Sequence, residues 1–503
     1  MAGREVDEKL PVWGLPLAFA ILFAGPLFGL IGGLWLCYDY AVVEAAAHAP
    51  ALFTLCWRLP FQWETVDLCG DYQHAVVLAV ASAGVIAALL ALAGLIVLGG
   101  ALARRSVAFL VAAFPPAARL LFIAAALVVL VQGLLLAYGA FIFLDGSISL
   151  QLVAPLGAIW GAIAAAFLLL RAAVSVFRLP PLKIRGILLD RTAQPRLWAE
   201  VDGIAGKMAA PAPRQIAAGL GGSFFAVDMP VVISGDTTVT GETLYLPLPL
   251  LRALDAEELR AVIAHELAHF KGGETAWGKR LAPVLMGLED VIESSRHGIV
   301  AFAMLPAAWL IGLFSQRFGA AIFLHQRRRE LEADRQAATI IGGRPLATAL
   351  VRLMSVQAVA RAMERAQARR KLDPDQSQNL CEYFVHWVKD HAAKRDGAAF
   401  LEKASAGRLS HPTDEHPPLR DRFVALGITP PGEVAWMDLP SVQSTALLDG
   451  AEALERQLSA QDTAFFGDFV NQPMELVPPL RATAEIEHGA EGKPAARFVT
   501  VSR

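Results

Sequence analysis

The sequence predicts a mostly α-helical membrane protein in which an N-terminal bundle of transmembrane helices precedes an α+β domain with a small β-sheet. Three observations carry this. Long uncharged apolar runs crowd the first third of the chain. Short β-like runs cluster after residue 210, and a well-capped helix follows them at once.

The apolar runs come first. Trp13 to Leu36, Ala75 to Leu102, Leu120 to Leu144 and Leu152 to Leu170 each meet the length needed to cross a hydrocarbon layer of ~30 Å at 1.5 Å per residue. The first is longer than a signal-peptide core and has mixed charges before it, so it reads as an uncleaved anchor. Over all 503 residues 55% are hydrophobic and 18% charged, which is too apolar for a wholly soluble chain. A formal charge of -3 with no long basic stripe argues against a nucleic-acid partner. Four cysteines exclude a disulfide scaffold or a cysteine-based zinc ribbon.

Loop charges orient the bundle. The loop after the first run (37–74) carries Asp39, Glu44, Glu64, Asp67 and Asp71 against Arg58, whereas Arg104, Arg105 and Arg119 follow the second run and Arg171 the fourth. Positive residues stay inside, so the N-terminus and everything after Arg171 are expected on the cytoplasmic side. Cys56 and Cys69 then lie on the oxidising side, either disulfide-bonded or as two thiols.

Residues 1–180 thus form a membrane domain, 181–428 the α+β domain and 429–503 an extension, partly flexible. The runs 215–219, 223–227, 231–234 and 243–246 are short strands between Gly and Asp turns. Phe224, Phe225, Ala226 and Val227 are the candidates for an exposed edge that could pair with an extended peptide; an ordinary core strand is the alternative.

The helix that follows starts at Asp255, an N-cap, with Glu258 completing a capping box. It carries His265, Glu266 and His269 as HExxH. Residues four apart share a helix face, so both imidazoles can reach one metal ion while Glu266 takes a proton from the attacking water. A third ligand stands in Glu330-Leu331-Glu332-Ala333-Asp334, where Glu330 supplies the carboxylate and Asp334 accepts from the spare N–H of a ligating histidine. Two histidines and one carboxylate leave a fourth position open, as in hydrolytic rather than structural zinc sites. The intervening run 299–324 is interrupted by Gln316 and Arg317. A single extra crossing would part Glu330 from His265, so a non-crossing segment or a membrane-dipping hairpin is expected.

HExxH, then ExxxD, then His416-Pro417-Pro418 with Arg422 resembles the zinc metallopeptidases that include the HtpX-type membrane proteases and the CAAX prenyl proteases. The resemblance spans roughly Leu182 to Gly427. It implies a zincin-like metallopeptidase domain with one Zn2+ per chain, and His416 and Arg422 near the site to hold the oxyanion. It also implies an endopeptidase at the cytoplasmic face of a bacterial inner membrane, acting on membrane or misfolded proteins. The chain departs from the pattern at Glu274, where the family usually has Asp beside the site, and at Gly222, Ser223 and Phe224, where an Asn commonly precedes the edge strand. Two other readings stand beside this one. A prenyl-protein protease would require a farnesylated substrate, and a catalytically silent scaffold would keep the metal site without cleavage.

Overall fold

The computed structural model describes residues 15–44, 49–61, 68–143, 148–175, 181–234, 237–271, 281, 284, 300–368, 378–392, 417–429 and 439–471. The apolar runs form α1 (Leu15–Tyr38), α3 (Leu68–Arg105), α4 (Val107–Phe143) and α5 (Ile148–Ser175), as a lipid solvent demands of segments that must pair every backbone group internally. Ser106 separates α3 from α4, and its hydroxyl accepts from the Phe109 N–H to cap the second helix. Leu22, Leu89, Phe114, Phe122 and Leu169 meet in one buried core. The opposite faces expose Phe28, Val80, Leu90, Trp160 and Phe167. Large apolar groups facing outward around an apolar core mark a lipid-facing surface, so the chain is an integral membrane protein.

α4 and α5 approach closely at Gly133, where any Cβ would collide with the Ala162 Cβ. Beyond α1, the short α2 (Ala49–Cys56) is tied back to α3. Cys56 and Cys69 form a disulfide, and Gln73 Nε2 donates to the Cys56 carbonyl at 2.9 Å. The bonded alternative for this pair is therefore the one observed.

A fifth helix joins the four of the N-terminal region. α9 (Val300–Ile340) is continuous through Gln316 and Arg317, and its stretch Ala307–Ile340 is long and apolar enough to span a membrane. Leu310, Phe314 and Phe318 pack into the same core as α1, α3, α4 and α5. Expectation had stopped at four spans. Leu281 and Val284 of the insert are also buried in that core. Polar residues were read as breaks, whereas a helix already paired through its backbone tolerates them where neighbouring helices shelter them.

The α+β part contains two small sheets. β2 (Ile187–Leu188), β3 (Gln215–Gly219), β7 (Glu242–Pro247) and β4 (Phe225–Asp228) order as β2-β3-β7-β4, with β3 parallel to β7 and β4 antiparallel to it. β1 (Leu182–Ile184), β5 (Val231–Ile233) and β6 (Thr237–Val239) form the other. Alternation decides the packing: Ile216, Ala218, Leu244 and Leu246 enter the main core, while Ala217 and Tyr245 turn to Val231 and Ile233 of the second sheet. α6 (Pro195–Met208) and α8 (Ala256–Ala268) cover the first face. Arg260 of α8 forks onto Glu200 of α6 at 2.8 and 2.9 Å, fixing the pair.

α10 (Gly343–Ala368), α11 (Leu380–Ala392) and α12 (Leu419–Leu426) complete the lobe. The C-terminal stretch is joined to it. Leu448 and, on α13 (Ala451–Asn471), Leu458 enter the main core, and fully buried Glu455 receives a forked bond from Arg252 at 2.6 and 2.8 Å.

Candidate metal centre

The motif helix is anchored before it is functional. Asp255 accepts from the Glu258 N–H at 2.9 Å while Glu258 accepts from the Asp255 N–H at 3.0 Å, closing the expected capping box. The other Glu258 oxygen takes Arg352 of α10 at 2.8 Å. Leu259, Ala261, Ile263, Ala264 and Leu267 are wholly buried, so the helix cannot rotate without leaving the core. At its far end the bonds shorten to the i−3 pattern, His269 N to Glu266 O and Phe270 N to Leu267 O. His269 stays in the helical region at φ -67° and so remains on the same face as His265, the two rings edge to face with centroids 5.0 Å apart.

α9 brings the third group. One Glu330 oxygen lies 3.4 Å from His265 Nε2 and the other 3.4 Å from His269 Nε2. These separations exceed an ordinary N–H···O bond, whereas ligands ~2.0–2.1 Å from a tetrahedral zinc sit about 3.3–3.4 Å apart. One ligand atom from each of the three residues lies within 4.8 Å of the others. Donor types and spacing both fit a zinc ion. Glu266 is buried on the same helix at 8% exposure.

His265 uses its two nitrogens differently. Nε2 faces Glu330, while Nδ1 lies 3.0 Å from Oδ1 of fully buried Asp334. The latter atoms are at bonding distance without hydrogen-bond alignment. Burial disfavours a charged imidazole here, but Asp334 and Glu330 outweigh it and push His265 up to about 10 in the ion-free chain.

Asp334 also carries the other side of the site. Arg422 of α12 donates to it from Nε at 2.7 Å and Nη2 at 2.5 Å, with both side chains buried. The family resemblance implies an oxyanion role for Arg422; in the structure the Nε and Nη2 edge of its guanidinium is bonded to Asp334. No spacing rule reveals such a pair, since 88 residues separate its members. His416 and Glu274 lie outside the described residues. Phe224 is buried, and Phe225, Ala226 and Val227 lie on β4, an outer strand of its sheet beside α8. β4 is thus an edge strand, whereas Phe224 precedes it and packs into the main core.

Residues 237–428 match the model of peptidase family M48. The segment belongs to peptidase family M48. The chain is 28% identical over 254 residues to "Protease HtpX homolog" of Acidiphilium cryptum, covering 47% of this chain and 75% of the relative. It is 32% identical over 89 residues to "Protease HtpX homolog 1" of Sulfurisphaera tokodaii, covering 17% of this chain and 29% of that protein. No solved structure matches the chain significantly. With its apolar helices and the M48 match over residues 237–428, the chain is similar to the HtpX-type membrane proteases. The M48 match begins at β6 and ends just beyond α12, enclosing every candidate metal ligand and Arg422 while leaving β4 and α13 outside.

Proposed function

We propose that the chain is a zinc endopeptidase that hydrolyses peptide bonds of membrane or misfolded proteins at the cytoplasmic membrane face, with one Zn2+ per chain held by His265, His269 and Glu330. The observation that carries the reading is the convergence of two imidazoles from α8 and one carboxylate from α9 at tetrahedral-edge spacing. Zinc, when bound, supplies a Lewis acid that polarises the scissile carbonyl and lowers the pKa of water from about 15.7 toward ~7. Glu266 accepts the proton of the attacking water and delivers it to the leaving amine. Asp334 holds the Nδ1–H tautomer of His265, and Arg422 holds Asp334. His416 stabilises the oxyanion, and Glu274 supports the site from beside the ligands. The outer edge of β4 takes the substrate backbone, with Phe224, Phe225, Ala226 and Val227 lining its path.

Two features support the membrane side. The disulfide Cys56–Cys69 closes the acidic end of the bundle, which suits an oxidising compartment. α9 leads from the bundle to the site past His325, whose Nε2 lies 2.9 Å from the Ala103 carbonyl at the Arg104 and Arg105 end. This supports a site on the basic side. The test is Glu266→Gln in the full chain: about one zinc per chain is retained while cleavage of an unfolded membrane-protein substrate disappears. Persistent cleavage by zinc-loaded Glu266→Gln overturns the mechanism.

A further inference from the structure

The strand with the free edge is reached by a crossover. β3 pairs with one side of β7 and β4 with the other, so residues 220–224 must pass the C-terminal end of β7 between Gly219 and Phe225. Leu220 and Phe224, the two ends of this crossover, are buried in the main core on the α8 side. Between them Gly221, Gly222 and Ser223 bring no apolar side chain to bury, and Gly222 has φ +83°, a left-handed conformation that residues with a Cβ rarely adopt. The turn must be held from outside.

Tyr245 of β7 holds it from the opposite face. Side chains alternate along a strand, so Tyr245 shares a face with Gly219 of β3 and Phe225 of β4. Its hydroxyl donates to the Gly221 carbonyl at 2.7 Å. It reaches there over Gly219, where any Cβ would collide with the hydroxyl oxygen. Its ring stacks on Phe225, the first residue of β4, with centroids 4.6 Å apart and planes 11° from parallel. Tyr245 is 3% exposed, so the ring has little room to swing away.

The consequence falls on β4. Phe225 on this face leaves Ala226 on the other, packed against the main core that α8 shares. A shift of one residue in β4 would exchange the two faces and move the edge relative to the metal centre. Tyr245 opposes that shift at two successive points, the turn and the first residue of the strand. It belongs to the core between the two sheets, on the face away from α8, so it acts without touching the metal ligands.

We propose that Tyr245 is a positioning residue for the substrate: it presets the outer edge of β4 to pair with an extended polypeptide, and so governs how tightly substrate binds while leaving the chemistry alone. This rests on the reading of β4 as the substrate edge. An edge already in register when the polypeptide arrives loses less conformational freedom on pairing, which strengthens binding.

The test uses the detergent-purified, zinc-loaded full chain and fluorescein-labelled casein, an unfolded polypeptide. Tyr245→Phe keeps the ring and removes only the hydroxyl. It is expected to raise KM about three- to tenfold, with kcat within about twofold of wild type and zinc content unchanged. In the Glu266→Gln background the same substitution weakens casein binding by the same factor, read by fluorescence anisotropy. Gly222→Ala, which strains the turn and leaves Tyr245 in place, is expected to act alike. The proposal is overturned if Tyr245→Phe leaves KM and affinity unchanged, or if it lowers kcat or zinc content instead. Should Tyr245→Phe fail to fold, Gly222→Ala decides, and an unchanged KM in that variant rejects the proposal. A wild type that binds casein without cleaving it counts against the proteolytic reading, and the affinities then judge Tyr245 alone; a wild type that does neither rejects both.

Discussion

Asp334 is held between a guanidinium and an imidazole, and both neighbours depend on it. Removing its charge leaves buried Arg422 without a counter-ion, which costs ~3–5 kcal/mol in comparable pairs. Asp334→Asn, which keeps the shape, is expected to weaken zinc binding by about 10–100-fold while the helices persist. A competitive chelator titration alongside circular dichroism checks this, and unchanged affinity would remove Asp334 from the site. Proton linkage gives a second prediction. With its pKa raised to about 10, His265 is protonated at pH 7 in the ion-free chain, whereas a ligand must be neutral. Zinc loading at pH 7 therefore releases a proton from His265, and apparent affinity falls about tenfold for each unit the pH is lowered from there. Calorimetry in two buffers of different ionisation heat reads the released proton directly.

At the scale of the element, α8 was legible in the sequence almost to the residue. Its cap, apolar face and two histidines are local features, and local spacing encodes them. Asp255→Ala should cost about 1 kcal/mol of stability, seen as a lower thermal midpoint in zinc-loaded protein, because it frees the Glu258 N–H. α9 was less legible. Gln316 and Arg317 suggested a break, yet the helix runs through both because the Gly99 and Gly100 notch of α3 gives Arg317 room. Short strands were found where Gly and Asp turns bound them. β1, β2 and β6, of three, two and three residues, are too brief to carry a period of their own.

At the scale of the molecule, the C-terminal stretch is joined to the lobe that holds the motif. Leu448 and Leu458 fill the core that α8 shares, and Glu455 binds both Arg252 and Asn379. A chain ending at residue 428 is expected to lose cooperative thermal unfolding and zinc retention together, although no candidate ligand is removed. Equal thermal midpoints for the two lengths would show the extension to be dispensable. Such packing was not readable beforehand, because a lone apolar residue every few positions says only that some surface is covered.

The sequence by itself determined which segments are apolar helices, where α8 begins, and that His265, Glu266 and His269 share one face of it, since hydrophobicity, capping and helical period are properties of neighbouring residues. Only the tertiary structure decided that Glu330 meets both histidines, that Arg422 grips Asp334 and that α9 joins the bundle. Those relations link residues tens of positions apart, and their distances are set by how whole helices pack.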